Sequence, residues 1–350
     1  MTVQEVLQLN LIEKQFQESK QFFKTHQTKD IKFRKQQLKL LSKSIKDHET
    51  ELLESLKIDL GKDSVEAYAT EIGILLKSIK TARKELKNWA KTKQVDTPLF
   101  MFPSKSYIKP EPYGTILIIG PFNYPVQLLF EPLIGAIAAG NNAIIKPSEL
   151  TPHVAQVVRK VIEDVFASDF VAVVEGGVEE TQTLINLPFD YIFFTGSENV
   201  GRIVYEAASK NLVPVTLELG GKSPVIVDET ANIKVASDRI SFGKFTNAGQ
   251  TCVAPDYILV NRKVKNELIQ AFKQSIEEFY GKNIQNSPDF GRIVNTKHFN
   301  RLSELLAIHR NEVIFGGHTD DNEQYIEPTI LDGITPQSKI MEEEIFGPLL

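Results

Sequence analysis

The sequence predicts an α/β protein: a parallel sheet covered by helices on both faces, followed by a second α/β region. Three observations predict this. Short apolar runs at 115–119, 143–145, 170–174 and 191–194 are of strand length and lack polar alternation, as strands buried on both faces do. Helical patterns lie between them, and repeated strand-helix-strand units favour parallel pairing. The chain has 350 residues, more than one ordinary core accommodates, so two or three domains are expected.

Taken in order, residues 1 to about 95 read as helical. Leu38, Leu41 and Ile45, then Leu52, Leu53 and Leu56, then Ile72, Leu75, Leu76 and Ile79 recur near helical spacing among lysines and glutamates. Between 96 and 114, four prolines forbid a helix and suit an extended connector or edge strand. That segment is either a strand bridging subunits or a plain linker. The clearest helix is 151–166, with Thr151 at the N-cap and Pro152 opening the first turn. Its Val154, Val157, Val158, Val161, Ile162, Val165 and Phe166 form one apolar face. A second α/β stretch begins near Val215, with strands at 224–227, 257–260 and 313–315 and a helix at 264–279. The final Phe-Gly-Pro-Leu-Leu is abruptly apolar and reads as a chain cut inside a domain.

Composition removes several function classes. Apolar residues make up 42% and charged residues 24%, as in soluble globular proteins, and the net charge of −5 comes without a dense basic stripe, so nucleic acid is not an expected partner. The opening Met-Thr-Val-Gln-Glu is not a signal peptide, and the apolar runs are too short to cross a bilayer, so a cytoplasmic protein without a membrane segment is expected. One cysteine makes neither an internal disulfide nor a structural zinc site, and no His-Glu-x-x-His occurs, so no metal is expected. A Gly-x-Gly-x-x-Gly fingerprint is also absent.

That one cysteine, Cys252, stands in Asn247-Ala248-Gly249-Gln250-Thr251-Cys252-Val253-Ala254-Pro255-Asp256. It is either a small apolar filler or a nucleophile. A thiolate attacking a carbonyl creates an oxyanion, which needs neutral donors such as a backbone N–H and an amide side chain. Asn123, in Gly-Pro-Phe-Asn-Tyr-Pro, follows a buried strand and would stand at its C-terminal end, where open α/β sheets bind ligands; by itself an asparagine before Tyr-Pro is more often a turn residue. Glu218 sits between two leucines ahead of Gly220-Gly221-Lys222, either as a structural acid or as a general base tuned by partial burial. Thr195-Gly196-Ser197-Glu198-Asn199-Val200-Gly201 is a strand-to-helix turn that can present N–H groups to a phosphate. Lys146 and Glu149 end another strand and either hold ribose hydroxyls or pair with each other.

Together these stretches resemble the aldehyde dehydrogenase superfamily over essentially the whole chain. The motifs occur in family order: Gly120-Pro121-Phe122-Asn123-Tyr124-Pro125, Lys146-Pro147-Ser148-Glu149, Phe194-Thr195-Gly196-Ser197, Leu217-Glu218-Leu219-Gly220-Gly221-Lys222, Gly249-Gln250-Thr251-Cys252 and Glu343-Glu344-Ile345-Phe346-Gly347-Pro348. The short N-terminal region, Gly176-Gly177-Val178-Glu179-Glu180-Thr181 and Cys252-Val253-Ala254-Pro255-Asp256-Tyr257 resemble the class-three, fatty-aldehyde branch. The resemblance implies a Rossmann-type cofactor domain (1–95 and 115–217, with N-terminal helices), a bridging or oligomerisation segment (96–114) and a catalytic α/β domain (218–350) that stops short of the family's usual end. It implies NAD(P)-dependent oxidation of a medium- or long-chain aliphatic or aromatic aldehyde to the acid through a cysteine thiohemiacetal and thioester. Cys252 is then the nucleophile, Asn123 an oxyanion donor and Glu218 the base that activates water. Lys146 and Glu149 would hold the adenosine ribose, with Gly196, Ser197 and Gly201 at the pyrophosphate. Glu344 would bind the nicotinamide ribose and Phe346 would pack beside the nicotinamide. NAD is the expected cofactor, because Glu149 would repel a 2′-phosphate, although class-three relatives often accept NADP as well. Full-length relatives are homodimers. The alternative reading is a truncated, non-catalytic fragment that retains partial nucleotide binding. A third, transfer of the acyl group to coenzyme A, is disfavoured by Glu218, since a hydrolytic base is of no use when a thiol takes that group.

Overall fold

In the computed structural model, residues 3–350 are described, with side chains from Asn10 onward; Met1 and Thr2, which open the Met-Thr-Val-Gln-Glu stretch, lie outside the described residues. The chain divides into two compact units, one of Met1–Leu52 and Ala69–Glu218, the other of Leu53–Tyr68 and Leu219–Leu350.

The first unit carries the proline-rich segment as a two-stranded antiparallel ribbon, β1 (Lys93–Val95) and β2 (Ser106–Ile108), with Lys93 opposite Ile108. Its turn holds Leu99, Phe100 and Phe102 more than 80% exposed, a cluster of large apolar side chains facing water. A five-stranded sheet follows from β3 (Thr115–Ile119), β4 (Asn142–Lys146), β5 (Val171–Val173), β6 (Tyr191–Gly196) and β7 (Val215–Leu219), in the order β5-β4-β3-β6-β7. β3, β4 and β5 are buried at every position, their apolar centres included, and β3 pairs in parallel with both β4 and β6.

The chain winds outward from β3 through β4 to β5, then crosses back to β6. Right-handed crossovers in opposite directions place the connecting helices on opposite faces. Helices Gln127–Ala139 and Pro152–Glu163 pack with Ile31–Asp47 on one face; Val178–Asn186 and Glu198–Ser209 pack together on the other, with Val3–Lys24 against Val178–Asn186. The winding reverses between β3 and β6. Open α/β sheets bind ligands in the crevice beyond the strand C-termini at such a switch point.

The helix expected at 151–166 runs from Pro152 to Glu163. Thr151 occupies the position before it but does not cap it: its backbone lies at φ −125°, ψ 68°, and its hydroxyl is buried without a partner. Pro152, which has no N–H to satisfy, opens the turn instead.

The second unit contains two parallel strands, β8 (Ser223–Val227) and β9 (Pro255–Val260), with Val225 beside Ile258. Helices Ile233–Phe245 and Lys265–Tyr280 pack on each other. Phe245, Phe272, Ile276, Leu302, Tyr325 and Ile345 form the centre of its core, and Leu349 and Leu350 are buried in the same cluster. Val313–Phe315 is a strand, as expected, and pairs antiparallel with Ile330–Leu331.

Helix junctions in the first unit are tied by His48, whose Nδ1 is 2.9 Å from Glu51 and whose Nε2 is 2.7 Å from Asp164. The Asp164 bond, then the Glu51 bond, hold the imidazolium above the usual histidine range. A raised folded pKa means that this contribution is fully present below the unfolded value near 6.5 and is lost as pH rises through the folded value. His48→Gln is therefore expected to lower the thermal midpoint clearly at pH 6 and much less at pH 9, as scanning calorimetry at both pH values would show.

Candidate active site

In the first unit the candidate residues stand along the C-terminal edge of the sheet. β3 leads into Gly120-Pro121-Phe122-Asn123, and the Asn123 side chain is 3% exposed. The turn carrying it is fixed by a group the sequence reading missed. Glu71, fully buried in a π-helical turn (Tyr68–Ile72), accepts from the N–H groups of Val126 at 2.8 Å and Gln127 at 3.2 Å. A carboxylate at these unsatisfied donors caps the following helix and complements its dipole. The signal was available: Glu71 lies four residues from both Ala67 and Leu75, on the apolar face of its helix.

Lys146 ends β4 and is buried; its ammonium donates to Glu149 at 2.7 Å, so the two residues pair. Burial works to raise the Glu149 carboxyl, but Lys146 and a backbone N–H outweigh it and hold the carboxyl below its ordinary value. β6 ends at Gly196. Ser197 is exposed and caps helix Glu198–Ser209 by accepting from Val200 N–H at 3.4 Å, while Gly201 is buried on the helix's inner side. Thr195 Oγ1, at the same strand end, is buried with no partner. An orphaned hydroxyl beside an exposed helix N-terminus, at the switch point, fits a phosphate-bearing ligand. Glu218, near the end of β7, is exposed.

In the second unit three motifs come together. Cys252 is half-buried in a turn just before β9. The turn begins with three successive left-handed residues, Asn247 at φ 54°, Ala248 at φ 52° and Gly249 at φ 75°. Such backbone costs roughly 1–2 kcal/mol at each non-glycine position and needs its surroundings to hold it. Here the Gln250 side chain donates to the carbonyls of Asn247 at 3.1 Å and Arg292 at 2.9 Å and accepts from Val294 N–H at 3.0 Å; Asn247 donates to Gln250 O at 3.2 Å. Gly249 lies against the Gly347-Pro348 loop: a Cβ there would stand 2.3 Å from Gly347 O. The same loop reaches Gly220-Gly221, where a Cβ on Gly220 would stand 1.9 Å from Glu344 Oε2. Burial pushes the half-buried Glu344 carboxyl up, against a hydrogen bond from Gly221 N–H. Phe346 is half-buried at φ 49°.

Beneath this cluster lies a second group that the sequence reading did not single out. Asp256, 3% exposed, is 3.1 Å from Lys222 Nζ and 3.5 Å from Lys244 Nζ. Burial lowers the Lys244 ammonium to about 8 despite Asp256 beside it. The cue was present here too: an acid inside the motif that carries the cysteine, immediately before the apolar run Tyr257-Ile258-Leu259-Val260.

The second unit thus holds a half-buried cysteine in a strained, over-determined turn and glycines that admit a carboxylate-bearing loop, and the first holds a sheet edge suited to phosphate. Residues 4–350 match the Aldehyde dehydrogenase family. The chain is 70% identical over 342 residues to 4,4'-diaponeurosporen-aldehyde dehydrogenase of Staphylococcus aureus, covering 98% of this chain and 74% of that protein. It is 43% identical over 339 residues to aldehyde dehydrogenase family 3 member A2 of Macaca fascicularis, covering 97% of this chain and 70% of the relative. A solved structure described as the substrate-bound state of Staphylococcus aureus AldH superposes with a TM-score of 0.95 at 70% identity, over 97% of this chain and 74% of that one. The chain belongs to the aldehyde dehydrogenase family, whose members are oxidoreductases that use NAD(P), and its relatives include the class-three branch.

Gly249→Ala and Gly281→Ala form a matched test of the cysteine turn. Both positions have positive φ, but nothing stands within 4 Å of a Cβ on Gly281. Gly281, at φ 77° and ψ −179°, lies where essentially only glycine goes, so Gly281→Ala is expected to cost ~1–3 kcal/mol of backbone strain. Gly249→Ala is expected to cost at least ~2 kcal/mol more, because backbone must move; equilibrium urea unfolding measures both.

Proposed function

We propose that this protein oxidises an aldehyde carried on a long apolar chain to the carboxylic acid, with Cys252 as nucleophile and NAD as cofactor. The observation that carries the reading is that Gly249, three residues before the single cysteine, lies against Gly347-Pro348, in the loop that sets Glu344 against Gly220. The substrate class is supported by the 70%-identical relative, whose name specifies 4,4'-diaponeurosporen-aldehyde.

In this reading the Cys252 thiolate adds to the aldehyde carbon, forming a thiohemiacetal. The oxyanion accepts hydrogen bonds from the Asn123 amide and the Cys252 backbone N–H. When bound, NAD supplies the hydride acceptor that converts the adduct to a thioester. Glu218 takes a proton from water as that water attacks the thioester carbonyl, and the acid leaves as the Cys252 sulfur is released. Lys146 and Glu149 would bind the adenosine ribose, and Gly196, Ser197 and Gly201 would line the pyrophosphate. Glu344 would hold the nicotinamide ribose, with Phe346 beside the ring. The Glu149 carboxylate favours NAD over NADP, because it would face a 2′-phosphate. The exposed Leu99, Phe100 and Phe102 on the β1–β2 ribbon support self-association through that segment.

The test is NADH formation at 340 nm with a long-chain aldehyde. Cys252→Ser is expected to abolish turnover. Asn123→Ala is expected to lower kcat by ~100- to 1000-fold with an unchanged circular dichroism spectrum. Near-normal turnover in either variant contradicts the assigned role.

A further inference from the structure

We infer that Asp256 and Lys222 act as positioning residues that latch the Glu344–Phe346 loop, and through it the nicotinamide half of the cofactor; this rests on the proposed function. Asp256 is nearly solvent-free, yet its carboxylate does not serve the ion pair alone. It accepts from the backbone N–H of Ile345 at 3.1 Å, the residue between Glu344 and Phe346. Lys222 Nζ, 3.1 Å from the same carboxylate, donates to the carbonyls of Ile340 at 3.0 Å and Glu343 at 2.9 Å. Arg301 completes the grip by donating to Ile345 O at 2.7 Å. The loop is therefore held by its main chain at Ile340, Glu343 and Ile345, while the Glu344 carboxylate accepts from Gly221 N–H.

Both latch residues sit at the entrances of neighbouring strands. Lys222 immediately precedes β8, and Asp256 is the second residue of β9. Asp256 also follows Cys252 by four residues. One buried carboxylate thus ties the cysteine turn to the loop bearing Glu344. Lys244, behind it, supplies the second positive charge that makes a buried anion tolerable here. A loop fixed by main-chain bonds to charged groups is pre-organised; an error of ~1 Å in such a contact can cost ~100-fold in the step it serves.

The variants are Asp256→Asn, which keeps shape and removes charge, and Lys222→Met, which leaves Lys244 on the carboxylate. The readouts are NAD affinity by calorimetry, backbone hydrogen exchange over 340–347, and KM for NAD against KM for aldehyde. Both variants are expected to weaken NAD binding about tenfold or more and to lose exchange protection in 340–347 first. KM for aldehyde should move less than about twofold, and Lys222→Arg should restore part of the affinity where Lys222→Met does not. Variants that bind NAD as the parent does, or that lose protection uniformly across the second unit, overturn the latch. A parent protein that binds no NAD overturns the functional reading and the latch with it, whereas a parent that binds NAD alongside variants that bind it equally overturns the latch alone.

Discussion

Asp256 is a carboxylate with 3% of its surface exposed, and a charge so placed is tolerable only where ionic and hydrogen-bonding partners replace water. Its partners come from three separated stretches: Lys222 after the Gly-Gly turn, Lys244 near the end of a helix, and the Ile345 N–H in the C-terminal loop. A shift of any of these stretches takes from the buried carboxylate one of the partners that replace water. That constraint sets how Gly220-Gly221, the cysteine turn and the Glu344 loop meet, and the glycines make the meeting sterically possible. Lys244 registers the cost, since burial pulls its ammonium down to about 8 even beside an anion.

The first unit solves a different problem with different means. A sheet whose winding reverses between β3 and β6 leaves a crevice at the strand ends, and the chain lines it with turn residues in place of a Gly-x-Gly-x-x-Gly loop. Glu71 completes the arrangement from a π-helical turn, capping the helix that follows Asn123. Buried carboxylates thus fix main chain in each unit: Glu71 by accepting N–H groups at a helix start, Asp256 by accepting one from a loop.

Much of this was legible in the residues. Uninterrupted runs such as Thr-Ile-Leu-Ile-Ile gave away the buried parallel strands, and the order of the glycine, asparagine and cysteine motifs pointed to the family. What was not legible depends on long-range pairing. Thr151 has the right identity for an N-cap, but its backbone is set by the loop before it, and its hydroxyl caps nothing. Glu218, between two leucines, reads either as a structural acid or as a partly buried general base, and it is the exposed residue of β7. Lys146 and Glu149 could bind a ligand or each other, and only the fold shows that they pair. Asp256 and Glu71 were not singled out, because the main-chain groups they accept from lie on stretches distant in sequence.

The measurement closest to the heart of the account is intact-protein and peptide mass spectrometry of Glu218→Gln incubated with a long-chain aldehyde, with and without NAD. If Cys252 is the nucleophile and Glu218 the base that activates water, a thioester accumulates: Cys252 gains the mass of the aldehyde less two hydrogens, and only when NAD is present. No NAD-dependent adduct, or an adduct on any other residue, would contradict it.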